Sequence, residues 1–274
     1  NDITTTGLID INAPITLGAD VVLSSGTGAG NIELGSSVVG AHNLDISSGS
    51  GAVTITGDIG AVASKALTSL DINNGSETGN INLTGNIGTA SLSGAGVVNI
   101  GNDGLTGTLT FGGTDYNTTG AQTFIADAYS MTGADPDFNT DNDNISFEDG
   151  GITLATISNL EINTGDSTIG NISIEGAIGG TSDSTTTTIT LEAGSGTVSI
   201  AGISTDIGNV TIDGSGGVTL NGNITTAGGN IDINEVATLG AAVTLTTASG
   251  SVDFASTIDG SNNFDIRGIY SHQE

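Results

Sequence analysis

Gly229-Asn230-Ile231-Asp232-Ile233 is answered further along the chain by Gly250-Ser251-Val252-Asp253-Phe254. The phrase, a small turn followed by apolar, polar, apolar, runs through the sequence. It reads Gly30-Asn31-Ile32-Glu33-Leu34, Gly79-Asn80-Ile81-Asn82-Leu83, Gly170-Asn171-Ile172-Ser173-Ile174 and Gly208-Asn209-Val210-Thr211-Ile212. Looser copies begin at Gly51, Gly96 and Gly196. Each is a turn and a strand too short to bury its apolar side alone. Stacking many such strands buries a continuous core. Ile32 and Val53 keep the same separation as Ile231 and Val252. The chain therefore reads as an all-β, right-handed parallel β-helix (a β-solenoid) of roughly 20 residues per coil. That length gives about 14 coils and a rod of about 65 Å at one strand spacing per coil.

The composition agrees. Of 274 residues, 45 are Gly and only Pro14 and Pro136 are proline, with Val, Ile and Thr supplying strand propensity. Apolar residues make up 35% and alternate with polar ones, a pattern that a disordered acidic chain does not need. No stretch carries apolar residues at helical spacing. Gly and Asn are expected at corners that need positive φ.

A longer repeat lies above the coil. Leu67 to Gly88 (LTSLDINNGSETGNINLTGNIG) aligns with Ile157 to Gly179 (ISNLEINTGDSTIGNISIEGAIG) with one inserted residue, as expected of an array that lengthens by copying blocks. Residues 1–274 are expected to form a single solenoid, part of a longer chain. Residues 111–149 depart from the pattern. They hold Phe111, Tyr116, Phe124, Tyr129, Phe138 and Phe147, six of nine aromatics, with eight acidic residues. They read as degenerate coils with an outward acidic loop near residues 134–144.

Thirty Asp and Glu face Lys65 and Arg267 alone, a formal charge of -28. Such a chain repels phosphate backbones and anionic lipid, so no nucleic-acid partner is expected. No apolar run suits a membrane helix, so no direct membrane insertion of this segment is expected. Without cysteine there is neither a disulfide framework nor a thiolate metal site.

Candidate ligand positions cluster in residues 111–149. Asp135, Asp137, Asn139, Asp141 and Asp143 place oxygen ligands at alternate positions, the donor type that a calcium ion takes. Thr140 stands where an EF-hand has its turn glycine, and no Glu closes the loop. A solvated acidic loop needing no cofactor is the alternative. Tyr116 and Tyr129 are candidates for an outward sugar-binding surface, because a phenol hydroxyl wants a polar partner; burial inside the coils is the alternative. Catalysis is not expected. Glycan-cleaving β-helices cluster carboxylates with cationic side chains. Here Asn139-Thr140-Asp141 is a lone fragment, and the basic groups His42, Lys65, Arg267 and His272 are dispersed.

The stretches Ile224 to Gly260 and Asn117 to Asp135 resemble the repeat arrays of filamentous-haemagglutinin-like, two-partner-secreted adhesins and of autotransporter passenger regions. The resemblance implies secretion across a bacterial outer membrane and an extracellular, cell-surface location. It also implies a non-catalytic structural or adhesive role in a surface fibre or filament, as in adhesion or biofilm. The implied partners are neighbouring copies or further coils of the same protein, and host or matrix glycans.

Overall fold

A computed structural model describes residues 2–91, 93–155, 159–166, 169–181, 186–204 and 206–272. The described residues contain strands and turns and no helix. The strands pair in parallel from one coil to the next, and the chain is a β-solenoid of about 11 turns of ~23 residues. At 4.8 Å per turn the rod is about 53 Å long.

The cross-section has three faces, each a column of inward side chains. Face A stacks Leu23, Ile46, Ile72, Ile100, Phe124, Phe147, Ile174, Ile200 and Leu220. Face B stacks Ile32, Val53, Ile81, Leu109, Tyr129 and Ile152. Face C stacks Tyr116, Phe138, Ile162, Leu191, Ile212, Ile233 and Phe254. These side chains are buried to within about 2% of full enclosure. A buried aliphatic side chain of this size contributes about 1.5–3 kcal/mol, and here it is buried by the coils above and below as much as by its own.

Coil length is not the uniform value that the phrase spacing suggests. The register puts Ile32 on Val53, but Val53 on Ile81 and Ile81 on Leu109, each a longer step along the chain. The difference is corner loop, so fewer coils are made than the phrase predicts.

The recurring phrase is not tied to one face. It opens face B at Ile32 and Ile81, face A at Ile172, and face C at Val210 and Ile231. The duplicated blocks are likewise rotated by one face. Leu70 lies on face A and Ile81 on face B, whereas their counterparts Leu160 and Ile172 lie on faces C and A. In the second block Ile157, Ser158, Ser167 and Thr168 lie outside the described residues. A parallel β-coil presents the same strand geometry on all three faces, so the block fits wherever the register delivers it.

The asparagines of the phrase do not serve as positive-φ corners. Positive φ among non-glycine described residues occurs at Ser64, Asn73, Asn142, Asp149 and Asp206. Instead the side-chain carbonyl of each phrase asparagine accepts a backbone N–H from the next coil. Asn31 accepts from Ala52 at 3.0 Å, Asn80 from Thr108 at 2.9 Å, Asn171 from Thr197 at 2.8 Å and Asn230 from Ser251 at 3.0 Å. The asparagine extends the strand ladder around the corner, where the backbone cannot. The glycine before it is needed for close approach. A Cβ on Gly79 would sit on the Gly51 carbonyl oxygen, and one on Gly51 on that of Gly30.

Residues 111–149 are regular coils, not degenerate ones. The strands Gln122–Met131 and Ile145–Leu154 pair along nearly their full length. Asp137–Asn139 is itself a strand, inserted between Asp115–Asn117 and Asn159–Asn163, where an outward loop is expected from the sequence. Two successive coils carry an aromatic on every face: Phe111, Tyr116 and Phe124, then Tyr129, Phe138 and Phe147. All six are 1% exposed or less and form one plug. Tyr116 and Phe138 stack at 4.6 Å, and Phe111 meets Tyr116, Phe124 and Phe138 edge-on at 5.0–5.1 Å. Gln122 takes the place of Val98 and Ile145 in its column. Its Nε2 donates to the Tyr116 carbonyl at 2.7 Å and the Asn139 carbonyl at 2.9 Å.

Candidate functional site

Tyr116 and Tyr129 are not surface residues. They are 0% and 1% exposed, and their hydroxyls are satisfied inside the rod. The Tyr116 hydroxyl accepts from Gly113 N at 2.9 Å and donates to the Leu83 carbonyl at 3.3 Å. That of Tyr129 accepts from Ala126 N at 3.1 Å, and the Phe124 and Glu148 carbonyls lie within 2.8 Å of it. Burial pushes both phenols well above their usual range. Of the two positions that the sequence leaves open for them, outward surface and coil interior, both tyrosines take the second, and carbonyls within the coil supply the polar partners.

The proposed calcium ligands are strung along the coil rather than gathered round a point. Asp137 and Asn139 point outward from one strand, on either side of buried Phe138. The Asn139 amide donates to Asn117 Oδ1 at 2.8 Å. Asp135, Asp141 and Asp143 are exposed at the two ends of that strand. Among the described residues no group of three or more His, Asp or Glu is placed to hold a metal ion. At Asp137 and Asn139 the alternation is that of a strand.

What the register does gather is a polar outer face on face C. One outward column runs Asp115, Asp137, Glu161, Thr190, Thr211, Asp232 and Asp253, and its neighbour runs Asn117, Asn139, Asn163, Glu192 and Asp213. Like charges in register on adjacent strands repel. Burial, then the facing acids Glu161, Asp115 and Asp135, push Asp137 up to about 6. Burial and neighbouring acids likewise raise Glu192 and Asp232, and Asp45, which stacks on Asp71.

A second feature is a cleft of about 570 Å³ beside face A. It exists because the longer coils carry corner loops at residues 73–78 and 102–107. Its lining includes Asn74, Ser76, Asn99, Asp103, Thr123 and Ile125. The loops are fixed from beneath. Asn102, 8% exposed, donates to the Asn73 carbonyl at 2.6 Å and the Glu77 carbonyl at 3.0 Å. Asn73 Oδ1 accepts Ser48 N at 2.9 Å. The Glu77 carboxylate accepts Ser47 Oγ at 2.5 Å, Gly75 N at 2.9 Å and Ser76 N at 2.8 Å. Burial alone would raise the Glu77 carboxyl; these donors outweigh it and hold it below its usual value. Asp71 Oδ1 takes the amides of Asn74 and Asn99 at 3.0 and 2.8 Å. Asn74 and Asn99 are thus held by Asp71, and the lining offers amides, hydroxyls and the Asp103 carboxylate around partly exposed Ile125. The sequence signal for it is a pair of Asn/Gly-rich inserts, Asn73-Asn74-Gly75-Ser76 and Asn102-Asp103-Gly104, that lengthen the coils.

His42 and Arg267 are each set beside an acid outside both features. His42 Nδ1 faces Asp20 at 3.6 Å, and Arg267 pairs with Asp265 at 2.9 Å. No helix is long and apolar enough to cross a membrane among the described residues. No protein-family model, no curated protein and no solved structure matches the chain.

Proposed function

We propose that this chain is a non-catalytic rod segment of a secreted bacterial surface fibre, with further coils or copies of the same protein as its neighbours. One observation carries the reading: inward side chains and strand pairings are satisfied from coil to coil along the rod, and the duplicated block fits in two different rotations. A device built this way grows by copying and transmits length rather than chemistry. The acidic exterior supports it, since like-charged rods stay dispersed in solution. Electron microscopy of the native, unproteolysed material is the test. Continuous fibres containing this chain are expected. Discrete rods of about 53 Å would overturn the fibre reading.

The cleft favours a second reading, in which the rod also holds a glycan. Rigid amides and hydroxyls with an apolar floor suit an uncharged sugar, and a lining without Lys or Arg disfavours an anionic one. Titration calorimetry with maltotetraose, cellotetraose and chitotetraose tests this. Binding of one of them is expected to fall at least about tenfold, the cost of a lost polar contact of ~1.4 kcal/mol, in Asn99→Ala and Thr123→Ala. No binding by any of the three, or binding that both variants leave intact, would sink it.

A further inference from the structure

We propose that face C carries an acid-responsive rung: Asp115, Asp137 and Glu161, in register on three successive coils, repel one another at neutral pH and lock together when Asp137 takes up a proton. The rod then tightens as the medium becomes mildly acidic. This goes beyond the rod reading, which requires no dependence on pH.

The geometry is that of a column with no way out. Asp137 lies between Asp115 on the coil before and Glu161 on the coil after. Asp135, on its own segment, is the remaining acid that acts on it. Asp115 has donors, Asn86 Nδ2 at 3.1 Å and Thr114 Oγ1 at 2.8 Å, and so is held as an acceptor. Among the described residues none donates to the Asp137 carboxylate; the side-chain amide on its strand, that of Asn139, is spent on Asn117. Arg267 is paired with Asp265, far along the chain. Packing inside the rung holds its coils in register. Directly inside the rung lie Tyr116, Phe138 and Ile162, and the Tyr116–Phe138 stack at 4.6 Å clamps the first two coils together. The packing inside the rung thus keeps Asp115, Asp137 and Glu161 in register, and taking up a proton relieves their repulsion.

Protonation, with the proton drawn from solvent, turns an acceptor-only carboxylate into an O–H donor flanked by two carboxylate acceptors. The Asp137 carboxyl is pushed up to about 6, above the ~3.9 of an unfolded chain. Between those values the folded state binds more proton than the unfolded one. Its stabilising effect is complete below about pH 4 and is lost as pH rises through about 6. Acids also meet in register at Asp45 and Asp71, at Glu192 and Asp213 and at Asp232 and Asp253, and the first of each pair is shifted in the same direction, although Glu192 has a donor in Asn163.

The test is thermal unfolding of the chain at pH 7.5, 6.5 and 5.5 at fixed ionic strength. The wild-type midpoint is expected to rise by about 2–4 °C or more over that range. Asp137→Asn, which supplies a donor without charge, is expected to start higher at pH 7.5 and to rise less. Glu161→Gln, which removes repulsion from the other side, should do the same. Asp127→Asn, an exposed acid outside the column, should keep the wild-type rise. A wild-type midpoint that stays flat or falls, or a rise that both Asp137→Asn and Glu161→Gln leave unchanged, would overturn the proposal.

Discussion

Phe138→Ala is expected to cost about 3–5 kcal/mol and to split the rod into two separately melting halves. Phe138 is fully buried and touches Phe111, Tyr116, Phe124 and Phe147 with centroids 4.6–5.7 Å away. Those rings belong to both coils of the plug, so the cavity left by truncation opens on both. In a solenoid each coil is stabilised by its neighbours alone, and a weakened interface uncouples what lies on either side. Denaturant unfolding should change from one transition to two. Hydrogen exchange should accelerate first in Gln122–Met131 and Ile145–Leu154, the strands that flank the gap. Phe254→Ala is the comparison. Phe254 is also buried, but its ring partner is Phe264 at 5.9 Å, and the loss should be smaller and local. Equal losses at the two sites would mean that the plug is ordinary core.

Gly79→Ala is the second large effect, about 3 kcal/mol from a single methyl. The added Cβ would lie on the Gly51 carbonyl oxygen, and the atoms it meets are backbone, which cannot rotate away. Relief requires the two coils to separate at this corner. That strains the bonds between them, Val53 N to the Asn80 carbonyl and Thr78 N to the Gly49 carbonyl, each 2.9 Å. Gly28→Ala is the control. Nothing lies within 4 Å of its Cβ position and its φ is not in the left-handed region, so the change should be neutral or slightly stabilising. Differential scanning calorimetry of the two variants would separate them; a Gly79→Ala protein as stable as Gly28→Ala would show that the corner has slack.

The two glycines differ in a way that no local pattern reveals. Both stand in Gly-rich turns between strands. Only stacking decides that one lies against a carbonyl of the coil below and the other faces open space. The asparagines of the phrase make the same point. Their place at the corner is legible, but positive φ is the local explanation and bonding to the next coil is the actual one. An outward position for Tyr116 and Tyr129 fails for a related reason. The need of a phenol for a partner is a local rule, whereas the presence of carbonyls inside the coil is a property of the closed cross-section. The acidic stretch Asp135 to Asp143 alternates as a ligand loop would, and also as a strand would. Pairing of Asp137–Asn139 with Asp115–Asn117 on the coil before and with Glu161, Ile162 and Asn163 on the coil after makes the middle of the stretch a strand.

That this chain is a parallel β-solenoid is written in its residues. Short apolar-polar-apolar strands, each preceded by a tight turn and recurring at about one coil's spacing, bury their inner sides by stacking. The inward aliphatic residues of the phrase strands are written there too, because a strand has a period of two, whereas the inward place of Tyr116 and Tyr129 is not. The number of coils, the face that each phrase occupies and the acids that meet in register emerge only once the coils are stacked. Those depend on the lengths of corner loops several coils apart. A corner can gain residues without changing the strands on either side, so its length is visible in the chain while its consequence is visible only in the stack.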